Sequence, residues 1–299
     1  MPIDDILDDK NERMDSVPKA FSNSVSKLEP VIMKDIEDLV SQLEMVDGNL
    51  IPSEKNMVLI QNIEQRIKNI VFTEQYEKDL TKFVGEFKKQ AGLNNEYFQA
   101  ILDKDLELKP MYESVLKSSQ KNTISLLNED AFTQKLIQPI QQTLESSITN
   151  NVSFTDTLNN LRYIIEGDEE VDGALLAHVK RVAYDSFAVS DRSYTNVISQ
   201  DLGLEFYRYS GGEIETTRCF CEERRGKYFH KKEIEGWGEG KNVGACGFPW
   251  QGMNQNTDKA TIFYYAGGYN CKHQILPVSK KSVPKDVIDR AKSKGYVKA

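Results

Sequence analysis

Apolar positions in the first two hundred residues recur at helical spacing. Phe21, Val25, Leu28, Ile32, Ile36, Leu39, Val40 and Leu43 form one stripe that Gly48 is placed to stop, and Pro30 either starts a new segment or kinks this one. After Pro52 and Ser53 a second stripe runs through Leu59, Ile60, Ile63, Ile67, Ile70 and Val71, and a third through Tyr76, Leu80, Phe83, Val84 and Phe87 up to Gly92. Such stripes are what helices need in order to pack, so they are assigned to core and not to a cofactor. A further helical run is expected from about Leu116 to Ile148, carrying Phe132, Leu136, Ile137, Ile140 and Leu144, with Pro139 as a kink. Ser153 and Asp156 have capping-box spacing and open a short helix through Leu158, Leu161 and Ile165. The acidic EGDEEVDG follows as a loop, and a last helix is expected from about Gly173 to Leu202, ended by Gly203.

Beyond Gly203 the period changes. EFYRYS alternates like a strand and runs into Gly211 and Gly212 as a turn; TIFYYAGGYN repeats that pattern and is read as a second strand. The predicted class is therefore α+β: a long, mainly helical N-terminal region followed by a small β-rich module containing Cys and His. Residues 1–16, acidic and short of apolar periodicity, are expected to be disordered, residues 17–124 to form a helical arm or bundle, and residues 125–280 a second domain with the β-rich module at 203–280.

Charge refines this picture. The chain of 299 residues carries a net −8, yet from Lys280 onward seven cations face only Asp286 and Asp289, a local +5 that leaves −13 on the rest. An acidic body argues against wrapping nucleic acid along its length, whereas the basic tail, residues 281–299, is either a solvated end or a contact for DNA phosphates or an acidic partner, with Lys280, Lys281 and Lys285 as the candidates. The N-terminus lacks the basic and apolar regions of a signal peptide, and no apolar run approaches the ~20 residues of a membrane span. A cytosolic site of synthesis is expected, where cysteines are thiols or metal ligands more often than disulfides.

All four cysteines, both tryptophans and two of the three histidines lie after Gly203, together with most of the glycines. Cys219-x-Cys221 and Cys271-x-His273 are two separated pairs of metal-ligand type, the arrangement from which small modules build a tetrahedral zinc site, although each pair is tighter than the usual two to four intervening residues. Cys219, Cys221, Cys271 and His273 are the preferred ligands, Cys246 the alternate, and zinc the expected cofactor. The competing readings are buried thiols acting as small hydrophobes and, third, a disulfide. A Cys–His nucleophile pair lacks an orienting acid or nucleophile turn in the sequence, and the glycines form no phosphate-binding loop, so an enzyme is not expected. Arg218, Arg224, Arg225, Lys227, Lys231 and Lys232 make a locally basic stretch, read first as a solvated face.

Taken in order, FYRYSGGEIETTRCFCEERRGKYF, FPWQGMNQNT and GGYNCKHQILPVS, preceded by the helix 173–202, resemble the C-terminal domain of phage minor head proteins of the Mu protein F-like head morphogenesis family. The positions that carry the resemblance are Gly211, Gly212, Arg218, Cys219, Gly226, Lys227, Phe229, Cys271, His273, Pro277 and Val278, within residues 125–280. The closing motif here has less Pro and His before its cysteine than the commonest pattern of that family. The resemblance implies a structural role: a low-copy virion protein, made in the bacterial host, that associates with the portal or the major capsid protein and aids head assembly or DNA delivery. The alternatives are a zinc-stapled nucleic-acid-binding protein and a nuclease or transferase.

Overall fold

The computed structural model of the protein describes residues 2–297. The chain divides into two compact units, each assembled from separated stretches. One combines Asp15–Gly85 with Lys121–Tyr184; the other combines the chain up to Met14 with Glu86–Gln120 and everything from Asp185. Neither the expected boundary at 124/125 nor the composition change at Gly203 divides the units. The 28-residue helix Ala174–Asp201 carries residues of both.

The first unit is helical, and its stripes fold as their spacing requires. Ile32, Ile36, Leu39, Val40, Ile60, Ile63, Ile67, Leu136, Ile140, Leu144, Leu161 and Ile165 are all buried, each such side chain contributing roughly 1.5–3 kcal/mol. Pro30 sits in the first turn of Glu29–Val40, where a missing N–H costs nothing. Ser53 and Ser153 cap the helices Glu54–Gln61 and Phe154–Glu166, accepting from the N–H groups of Asn56 and Asp156. Before Pro139 the helix widens into a π turn, Thr133–Ile137, in which the Gln138 N–H reaches the Thr133 carbonyl. That shift absorbs the ladder disruption a helical proline brings.

Gly48 serves a hairpin and not a helix stop: β1 (Met45–Val46) and β2 (Asn49–Leu50) pair across Asp47 and Gly48, both at positive φ. Asp-Gly is the residue pair that such a tight primed turn favours. Gly92 likewise stops nothing, because the helix Glu74–Leu102 runs through it.

In the second unit β3 (Phe206–Ser210) is the centre of an antiparallel sheet, flanked by β4 (Tyr228–His230) and β5 (Gln274–Val278). Strand alternation separates its faces. Tyr207 and Tyr209 enter an aromatic core with Phe220, Trp237, Trp250 and Phe263, while Phe206 packs on the opposite side with Val283, Val287 and Ala291. Pro277 lies opposite Tyr207 on an edge strand, where a ladder donor is dispensable.

Two expectations are corrected here, and the tail gains a structure. The N-terminal residues form a helix, Ile3–Val25, in place of disorder; Ile6, Lys10 and Met14, four apart, are buried, and the lysine within the stripe hid its periodicity. TIFYYAGG is not a strand: Asp258 accepts from the N–H groups of Ala260 and Thr261, the turn Ile262–Tyr265 is helical, and the strand role falls to Gln274–Val278. The basic tail is ordered as the helix Lys285–Ser293, held by Glu233, which accepts from Arg290 at 3.0 Å and Lys294 at 2.8 Å. Lys280, Lys281 and Lys285 are exposed; Lys298 and Ala299 at the end of that tail, and Met1 of the N-terminal segment, lie outside the described residues. Among the described residues no helix is long and apolar enough to cross a membrane.

Candidate metal centre

The four expected ligands do not converge as a set. Cys219 and Cys221 stand on the single helical turn Cys219–Glu222, where positions two apart point about 200° from one another. Cys221 is buried in the module core, whereas Cys219 is exposed and bonded to Cys246, in the 3-10 turn Gly244–Cys246, as a disulfide. The expectation that all four cysteines are thiols or ligands is thus corrected for this pair. Cys271-Lys272-His273, by contrast, lies immediately before β5, where Cys271 and His273 are buried and Lys272 is exposed.

The result is a buried group of three: Cys221, Cys271 and His273, with candidate ligand atoms all within 4.8 Å of one another. The two sulfurs are 3.7 Å apart. With zinc–sulfur bonds of about 2.3 Å, a tetrahedral site has sulfur–sulfur edges of about 3.8 Å, so the spacing already suits a metal between them. His273 Nε2 is buried and has no hydrogen-bond partner, an arrangement a ligating imidazole would resolve. These three residues can hold a metal ion.

The surroundings are built around the sulfurs. The Tyr209 hydroxyl donates to Cys221 Sγ at 3.2 Å, and its ring stacks on His273 at 5.4 Å. The Gly267 N–H donates to Cys271 Sγ at 3.3 Å. A Cβ at Gly267 would lie 2.3 Å from Cys221 Sγ, and one at Gly211 2.6 Å from the His273 ring, so both positions require glycine. The hydrogen bond from Cys221 moves the Cys271 thiol well below its ordinary value against the opposing effect of burial, helped by His273 and the Arg192 charge. The same hydrogen bond, with burial, pushes Cys221 up.

Arg218 bridges the carbonyls of Gly267 and Tyr269, at 3.4 and 2.6 Å, tying the turn before Cys271 to the start of the Cys219 helix. Arg224, Arg225 and Lys227 of the expected basic stretch also have partners within the module. Arg224 is buried over the Phe220 ring at 3.8 Å and donates to the Phe220 carbonyl, Arg225 pairs with Glu213, and Lys227 donates to the Glu223 carbonyl. Gly226, at φ +77°, makes the turn into β4, where Phe229 packs on Trp237 at 4.7 Å, and Gly212 is open.

Among the described residues His230 joins no ligand group. It caps the helix Lys231–Gly238 through a capping box with Glu233. Sequence reasoning missed Tyr209, Gly267 and Arg192. The alternation of EFYRYS placed Tyr209 inward, and the Gly-Gly pair marked Gly267, but nothing in the sequence links Arg192 to the Cys271 carbonyl.

Beside the three ligands lies a cavity of about 620 Å³, lined also by Cys219, Thr217, Arg218, Gln251 and Lys272. Searches against protein-family models, curated proteins and solved structures find no match to this chain.

Proposed function

We propose that this chain is a minor head protein of a tailed bacteriophage, associated with the portal or inner capsid, and that its sheet-bearing module is stabilised by zinc on Cys221, Cys271 and His273. One observation carries the reading. The residues on which the resemblance to the Mu protein F-like family rests are scattered from Gly211 to Val278, yet most of them, Gly212 excepted, have a part in a single local structure. Gly211 makes room for His273, Arg218 holds the turn before Cys271, Gly226 turns the chain into β4, and Pro277 and Val278 pair with the central strand. A motif order that builds one stapled fold supports a structural role, because what the pattern maintains is the module itself.

Zinc suits the donor set of two sulfurs and one imidazole, a soft, tetrahedral-seeking combination. In this role the metal would be a cross-link between the Cys219–Glu222 turn and the entry to β5. The exposed Lys280, Lys281 and Lys285 supply a salt-sensitive contact to an acidic partner surface or to packaged DNA.

The test is quantitative detection of this chain in purified phage heads. A fixed low copy number per particle, and particles that lose the protein when Cys271→Ser is introduced, are expected. Absence from intact particles, or a hydrolytic or transferase activity abolished by Cys271→Ser in a folded protein, favours the enzyme alternative.

A further inference from the structure

We propose that the zinc site is completed by reduction of the neighbouring disulfide, with Cys219 released from Cys246 to become the fourth ligand. This rests on the zinc reading above and adds its regulation. Three protein ligands are gathered while a tetrahedral structural site takes four, and Cys219 lines the same cavity as Cys221, Cys271 and His273. Cys219 is held out of the group both by its covalent bond to Cys246 and by its place on the helical turn Cys219–Glu222, which points it away from Cys221. Phe220 alone separates Cys219 from Cys221 on a single four-residue turn, so unwinding of that turn with rotation of the Cys219 side chain is the movement that brings its sulfur towards the ligands. The Cys246 segment is short: Cys246 ends the three-residue turn Gly244–Cys246, between Gly244 and Gly247 at positive φ, and its withdrawal breaks its packing on the module core and the hydrogen bond from the Ala245 N–H to Glu223. The buried, unpartnered Nε2 of His273 is a second and independent sign that this cavity is built for a ligand.

The chemistry balances with a cellular dithiol as reductant. Its thiolate attacks the Cys219–Cys246 disulfide, the mixed disulfide is resolved by its second thiol, and the dithiol leaves oxidised while Cys219 and Cys246 each gain a proton. Cys219 then gives up that proton on binding zinc, which undergoes no redox change. The module is thereby held together in both environments: by the disulfide with a three-ligand site when oxidised, and by a four-ligand site when reduced. A protein made in a reducing cytosol and later exposed outside the cell meets both.

The full chain, oxidised or treated with a phosphine reductant, should be titrated with zinc against a colorimetric chelator, and with cobalt(II) to count thiolates by the sulfur-to-metal absorption. Reduction is expected to tighten zinc binding by about tenfold or more, since even outer partners of a ligand are worth 10–100-fold. It should also raise the cobalt absorption from a two-thiolate to a three-thiolate level. Cys246→Ser should behave as reduced without reductant, and Cys219→Ser should bind as the oxidised protein does and ignore reductant. Equal affinity and a two-thiolate cobalt spectrum in both states overturn the redox inference while leaving the three-ligand site standing. No zinc binding in any form, Cys246→Ser included, overturns both.

Discussion

The helical unit and the sheet-bearing module solve the same packing problem with different materials. In the helical unit the core is aliphatic and repetitive, built from Ile, Leu and Val that recur along several helices. In the module the core is aromatic, with Phe220 stacked on Trp250 at 3.9 Å, and it contains a buried arginine, a buried histidine, two thiols and a disulfide beside them. A core made of many equivalent contacts loses stability by increments. One made of few, unlike contacts depends on each of them, which is why the module has close backbone approaches at Gly211 and Gly267 and why its chemistry is concentrated at one end of the sheet.

The sharpest way to break this comparison is one truncation in each region. Both tryptophans lie in the module, so their emission reads it alone. Phe220→Ala removes a fully buried ring from between Trp250 and Arg224 and is expected to cost about 4 kcal/mol, seen as a lowered denaturant midpoint of tryptophan emission. Ile36→Ala should cost about 3 kcal/mol and move the helical circular dichroism signal first. Identical shifts of both probes in both variants would show that the two regions melt as one.

A smaller effect separates them by pH. In the helical unit, burial raises the Glu29 carboxyl to about 7, aided by Asp172 and Glu166 and opposed by a hydrogen bond from the Leu176 N–H. A raised acid destabilises the fold as pH climbs from its unfolded value through 7, so Glu29→Gln should stabilise that unit at pH 8, by about 2 kcal/mol, and hardly at all near pH 4. In the module the sign is reversed. Burial alone would raise Glu233, but hydrogen bonds from Arg290, Lys294 and the His230 N–H bring it below its ordinary value. Its contribution is present at neutral pH and lost as pH falls through that lowered value. Glu233→Gln should therefore loosen the Lys285–Ser293 helix at pH 7, by about 1 kcal/mol because both cations are partly exposed, and make no difference in strong acid. Amide exchange along that helix reads the change. The smallest expected effect on stability is that of replacing Lys280, Lys281 and Lys285 together by alanine: no change in melting, and loss only of a binding that weakens with salt.

The two regions also differed in how far the sequence disclosed them. Pro30, Ser153 and Gly203 marked real helix ends because capping and proline rules are local. The stripes told which residues are buried but not which lie together, so the interleaved units, divided within the helix Ala174–Asp201, could not be read from them. In the module, the strand at Phe206–Ser210 followed from alternation, and Cys271 and His273 come together as the pair their spacing suggested. The Cys219-x-Cys221 pair did not, because the same spacing joins two ligands on a strand and parts them on a helical turn. Lys10 shows the remaining limit: a charged residue at a stripe position reads as solvent-facing until Asn94 and Asp191, far along the chain, are seen to receive it.

The measurement that bears most directly on the module's chemistry is metal content of the full chain purified without chelator, paired with its melting by tryptophan emission before and after chelation. About one zinc per chain is expected, lost in Cys271→Ser, with a lower midpoint once the metal is removed. A metal-free protein whose module melts at the same point with chelator, with added zinc and as Cys271→Ser would contradict it.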